Sequence, residues 1–200
     1  MAARGPYAKG VAKRAEILET ALDVIAQNGY SGATVKELAD AVGLSQNGLL
    51  HYFGSKDALF LEILRFHSDI VNVEVDPEHT DFTAGLLARI LAALSDSLEE
   101  TGRSRLMLSV TMEATSEDHI AHDFIRYRYE SFREVASAAL TEMQTRGEFP
   151  ADADPVAAAA VIASAFDGFV IQWMYDRSLD VVGQMAYMLD ALGLRETETP

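Results

Sequence analysis

No cysteine occurs in the 200 residues, which excludes a disulfide framework and any thiolate-held metal centre. Long apolar runs are also missing. The longest largely apolar stretch spans residues 156–166 and stops at Asp167, short of the ~20 residues a membrane-spanning helix needs. No basic, apolar and small-residue leader opens the chain, so a cytoplasmic location is expected. No segment alternates apolar and polar residues in the manner of a half-buried strand. Basic residues are scarce: 16 Lys and Arg stand against 31 Asp and Glu, a formal net charge of −15. If that charge were evenly spread, it would exclude a polyanionic partner.

It is not evenly spread. Residues 1–60 hold six basic groups (Arg4, Lys9, Lys13, Arg14, Lys36, Lys56) and six acidic ones, leaving 10 and 25 for the remainder. Four of the six basic groups precede Glu16, with no acid among them. Such asymmetry points to a nucleic-acid-facing end with a basic N-terminal arm, and to a body that the same nucleic acid repels. A basic tail on an acidic protein is the plainer alternative.

What is present is helical periodicity. Ile17, Leu18, Ala21, Leu22, Ile25 and Ala26 form one stripe over residues 11–28, closed by Asn28-Gly29. Thr34 and Glu37 have capping-box spacing ahead of a short helix over 35–42 that stops at Gly43. Ser45 caps a third, and a fourth follows Ser55, carrying Leu59, Ile63, Phe66, Ile70 and Val73 toward Pro77. Further helices are predicted over 82–98, 104–115, 117–146, 155–175 and 180–192, with Asp154-Pro155 supplying a cap and a first-turn proline. The fold class is therefore all-α, with about nine helices.

Helix, glycine turn and short helix over residues 34–53 form a helix-turn-helix pattern, whose second helix enters the DNA major groove. Leu44 and Leu49 are placed to hold the short helix inward, while Gln46, Asn47 and His51 turn outward. Gln and Asn pair bidentately with adenine. Gly48 permits close approach to DNA at a helix cost of ~1 kcal/mol relative to alanine. Thr34, Lys36, Tyr52 and Lys56 stand at helix starts or the rim, where phosphates are met, and Ser45, the cap of the short helix, is counted among the DNA-binding residues.

The stretch "NGYSGATVKELADAVGLSQNGLLHYFGSKDALF", residues 28–60, resembles the DNA-binding segment of the TetR (tetracycline-repressor-like) family in order and spacing. A second likeness lies in "AFDGFVIQW", residues 165–173, which is similar to the eighth helix of many members. One departure is Leu50, where members often carry a phosphate-contacting tyrosine; Tyr52 or His51 would take that contact here. The resemblance implies a homodimer that divides at residue 54. Residues 1–54 would bind an operator in double-stranded DNA, and residues 55–200 would bind a small-molecule effector and pair the subunits through the last two helices.

Residues 55–200 are compatible with that division. Ala160, Ser164 and Gly168 lie on a small-residue row that lets helices approach, and Val182, Met185 and Leu189 share an apolar face. Phe66, Met107, Tyr127, Phe169 and Trp173 are candidate ligand contacts, each of them equally suited to a core. His119 and His122 have metal-ligand spacing, but a solvated first turn whose acids complement the helix dipole is the expected reading, so no metal and no cofactor are assigned. No phosphate-cradling glycine loop or nucleophile elbow is present, and an enzyme is not expected. The function expected is a ligand-released repressor, with an activator or a regulator governed by a protein partner as alternatives.

Overall fold

The computed structural model describes residues 6–28, 34–66 and 85–194. Among these residues there are nine helices and no strand: α1 (Pro6–Asn28), α2 (Val35–Ala41), α3 (Gln46–Phe53), α4 (Lys56–Phe66), α5 (Leu86–Glu99), α6 (Thr101–Glu113), α7 (His122–Thr145), α8 (Pro155–Tyr175) and α9 (Val181–Ala191). They form two compact units. The first contains α1 to α4 together with α6, and the second contains α5, nearly all of α7, α8 and α9.

The first unit is built around α1, which packs on α2, α4 and α6. Its stripe of Ile17, Leu18, Ala21 and Ile25 is buried, as are Leu38, Leu49, Leu59, Phe60 and Ile63 from α2 to α4 and Leu106 and Val110 from α6. Helix α1 starts at Pro6, earlier than the apolar stripe suggested, because proline is well suited to a first helical turn. Lys13 and Arg14 therefore lie within a helix rather than on an extended arm.

In the second unit α5, α8 and α9 pack pairwise. They bury Leu86, Ile90 and Leu94 from α5, Ala158, Ala159 and Ile162 from α8, and Val181, Met185 and Leu189 from α9. The Tyr129 hydroxyl of α7 donates to Asp167 of α8. Gln144 closes the α7–α8 connection by donating to the carbonyls of Pro150 (2.7 Å) and Ala153 (2.8 Å). Helix α8 is long and apolar enough to cross a membrane by length and composition alone. Here the same property gives it two apolar faces, one packed inside the unit and one carrying exposed Val156, Val161 and Ile171.

Several predicted boundaries shift. Helix α6 runs from Thr101 to Glu113 instead of over 104–115, and α7 begins at His122 instead of at residue 117. Residues 115–121 form turns held by histidine rings: His119 Nδ1 accepts the Ala121 N–H at 3.2 Å, and His122 Nδ1 lies 2.8 Å from the Ala114 carbonyl oxygen. The two histidines thus do not share one helix, and no cluster of three or more potential metal ligands occurs among the described residues.

Candidate nucleic-acid interface

The recognition geometry is set by two caps and one turn. Thr34 accepts the Glu37 N–H at 3.2 Å, while the Thr34 N–H donates to Glu37 Oε2 at 2.9 Å, completing the capping box that starts α2. The hydrogen bonds from the Thr34 backbone and hydroxyl hold the Glu37 carboxyl below the usual carboxylate range. Gly43, at φ +67°, then reverses the chain, and the Leu44 N–H returns to the Ala39 carbonyl at 2.9 Å. Ser45 caps α3 by accepting the Gly48 N–H at 3.0 Å. Its own O–H proton is left to point at an outside acceptor.

Helix α3 is two-faced. Leu49 is fully buried and Phe53 nearly so, whereas Ser45, Gln46, Asn47 and His51 are exposed and Gly48 and Tyr52 half-buried. The polar tips gathered by the sequence reading therefore lie along one outward edge. Thr34 and Lys36 are exposed at the start of α2. The Lys56 side chain lies outside the described residues, as do those of Arg4, Lys9, His67, Ile70, Val73 and His79. Gly48 also has an inward reason: an added Cβ would sit 3.1 Å from Ser45 Oγ and crowd the cap.

Arg14 is the site residue that sequence reasoning placed elsewhere. Its guanidinium reaches the Tyr52 carbonyl at 3.5 Å and Glu62 Oε2 at 3.0 Å, and sits 4.8 Å from the Phe53 ring centroid. It braces the C-terminal end of α3 against α1 and α4. The signal was its register: Arg14 stands three and four residues before Ile17 and Leu18, on the buried stripe.

The candidate ligand residues are divided between the two units. Phe66 and Met107 belong to the first unit, and Tyr127, Phe169 and Trp173 to the second. Tyr127 is exposed, Trp173 is covered by the Arg177 guanidinium at 3.7 Å, and Phe169 borders open grooves on α8 and α9. One groove, of about 520 Å³, runs along Ala160, Ser164 and Gly168; the other, of about 460 Å³, is lined by Gly183, Gln184 and Tyr187. Val182 is half-buried. Met185 and Leu189, expected at a subunit interface, are instead fully buried in the protomer's own unit, because α9 turns that stripe toward α5 and α8. No surface of theirs is left for a partner.

A capped helix, a left-handed glycine turn and a second capped helix with a polar outer edge define a helix-turn-helix DNA-binding protein. Residues 17–63 match the bacterial regulatory proteins of the tetR family, and residues 83–192 match the C-terminal region of BetI-type transcriptional repressors. The chain belongs to the TetR family of bacterial transcriptional regulators. It is similar to the transcriptional repressor AcnR of Corynebacterium efficiens, at 47% identity over 57 residues, 28% of this chain and 30% of that one. The alignment thus spans less than a third of that relative's length. Among solved structures, a TetR transcription regulator from Haloarcula marismortui superposes with TM-score 0.75 at 20% identity over 92% of this chain and 97% of that one. A transcriptional regulator from Saccharomonospora viridis in complex with choline does so with TM-score 0.74 at 25% identity over 90% and 94%.

Proposed function

We propose that the protein is a ligand-responsive transcriptional repressor, which binds a near-palindromic operator as a homodimer and is released when a small molecule enters the body of the protein. The single observation that carries this reading is the outward edge of α3, where Gln46, Asn47 and His51 stand exposed above a buried Leu49. Residues 1–54 serve as the DNA-binding domain and 55–200 as the effector and dimerisation domain. Gln46, Asn47 and His51 read bases, Gly48 permits close approach, and Thr34, Lys36, Ser45, Tyr52 and Lys56 contact phosphates. The name of the AcnR relative supports the repressor sign, and the choline complex of the S. viridis regulator supports a small-molecule effector.

Dimerisation is assigned to the exposed faces of α8 and α9. Ala160, Ser164 and Gly168 allow close helix approach, with Val161 in the same groove at 46% exposure and Tyr187 in the neighbouring α9 groove at 78%. Two recognition helices in such a dimer read half-sites ~34–36 Å apart or a multiple of that. A ligand favouring one spacing of the heads shifts operator affinity by coupling of ~1–3 kcal/mol.

Selection of bound fragments from a genomic DNA pool tests the reading, followed by salt titration of the winner. A near-palindrome whose affinity falls steeply with salt is expected, since phosphate contacts release counterions. No enrichment at low salt would refute DNA recognition by this chain.

A further inference from the structure

Asn47 and His51 stand four residues apart on α3, one turn from each other, and both are exposed. A rotation of ~200° either side of the buried Leu49 places both on the face opposite the core. His51 also occupies the last turn of the helix, where the dipole favours a positive charge. Among the described residues its ring makes no hydrogen bond and no ion pair; it meets only the Tyr52 ring, edge-on, with centroids 6.4 Å apart.

Charged groups on the neighbouring elements are engaged with other partners or stand open to solvent. On α2, Glu37 is bound to Thr34, while Lys36 and Asp40 are exposed with opposite charges. On α4, Glu62 is paired with Arg14 of α1 and with Arg65, and Arg14 also reaches the Tyr52 carbonyl. The side chains of Lys56 and Asp57 at the start of α4 lie outside the described residues. Both ring nitrogens of His51 are thus left to an outside partner.

Histidine is the side chain whose charge changes between about pH 5 and pH 8. Its neutral ring has one donor and one acceptor, whereas the imidazolium has two donors. Duplex DNA offers acceptors to an outward helix face, namely phosphate oxygens along the backbone and O6 and N7 of guanine in the major groove. Its dense line of negative charge favours the protonated ring as well. A ring that is neutral in the free protein and protonated in the complex takes up a proton on binding, so affinity rises as pH falls.

We propose that His51 meets the operator as an imidazolium donating to an acceptor on the DNA, so that binding takes up one proton and operator affinity rises with acidity. This rests on the reading of α3 as the recognition helix and adds a dependence on pH to it. A guanine edge and a phosphate share the chemistry that the ring requires, an acceptor in a negative field.

The test titrates the full-length protein with the selected operator and with a random-sequence duplex at constant salt. Binding is followed by fluorescence anisotropy from about pH 8 to about pH 6, over the interval in which circular dichroism shows constant helix content. Operator affinity should rise ~10-fold, within the tenfold per pH unit that uptake of one proton allows. His51→Gln, which carries no charge at any pH, should flatten the profile at its weaker end. His51→Arg, which is charged throughout, should flatten it at the stronger end. A pH effect confined to the operator, and lost when one of its guanines is replaced by 7-deazaguanine, would uphold the proposal with a base as the acceptor. An equal effect on the random duplex would uphold it with phosphate as the acceptor. Operator affinity independent of pH, or a pH effect that survives His51→Gln, would overturn the proposal and leave the DNA-binding reading intact. No binding to either duplex at any pH would overturn both.

Discussion

Arg14 Nη2 lies 3.0 Å from Glu62 Oε2, joining the first helix to the fourth behind the end of the recognition helix. The same guanidinium touches the last turn of α3 through the Tyr52 carbonyl and the Phe53 ring. A basic residue near the N-terminus of a DNA-binding protein invites assignment to phosphate. This one is spent on holding the recognition helix at its angle.

Arg14→Met is therefore expected to cost stability without removing a phosphate contact. The ion pair is half-exposed and worth ~0–1 kcal/mol, with a comparable share from the ring contact. Thermal unfolding should drop by about 2–6 °C. The slope of log affinity against log salt should be unchanged; a slope reduced by ~1 would show that Arg14 meets a phosphate after all.

Base-reading and phosphate-contacting residues should separate by assay. Gln46→Ala and Asn47→Ala should each relax discrimination at one operator position by ~1–3 kcal/mol while sparing non-specific binding. Lys36→Ala should weaken binding to every sequence and lower the salt slope by ~1. Titration of single-base operator variants checks both. Equal losses for all three substitutions would remove the division of roles.

Burial and the hydrogen bond to Asp167 push the Tyr129 phenol up to about 12 from its ordinary 10.0. A phenol that holds its proton more tightly when folded stabilises the protein below pH ~10, and this contribution is lost as pH rises through ~12. Of the seven tyrosines, Tyr129 should be late to ionise in an ultraviolet pH titration, and Tyr129→Phe should remove that late step. The substitution should also cost ~1 kcal/mol at neutral pH. A titration curve unchanged by Tyr129→Phe would disprove the assignment.

Gly168 has nothing within 4 Å of where a Cβ would stand, so Gly168→Arg fits the isolated protomer and blocks only a partner helix. Sedimentation should show a monomer with normal helix content. Operator affinity should fall ~100-fold or more as two-headed binding is lost. A dimer that survives the arginine would place the interface elsewhere.

The parts of the site that are local in sequence were readable there. Thr34 with Glu37, Ser45, Gly43 and Asp154 before Pro155 each act within four residues, and each cap or turn forms where the residue type demands it. The start of α7 was not readable. Glu117 and Asp118 suit a helical first turn, but the His119 and His122 rings instead satisfy backbone groups of the preceding turns.

The sequence by itself determined most of the helical segments, the caps at Thr34, Ser45 and Asp154, and which side chains of α3 are left outward once Leu49 is buried. These follow from spacings of three and four residues, which a helix imposes whatever surrounds it. Only the tertiary structure decided that Arg14 braces α3, that Arg128 is buried while Arg126 is not, and that Met185 and Leu189 face their own unit. An apolar or charged side chain on a two-faced helix is turned inward or outward by neighbours far away in sequence, and their identity is no part of the local pattern.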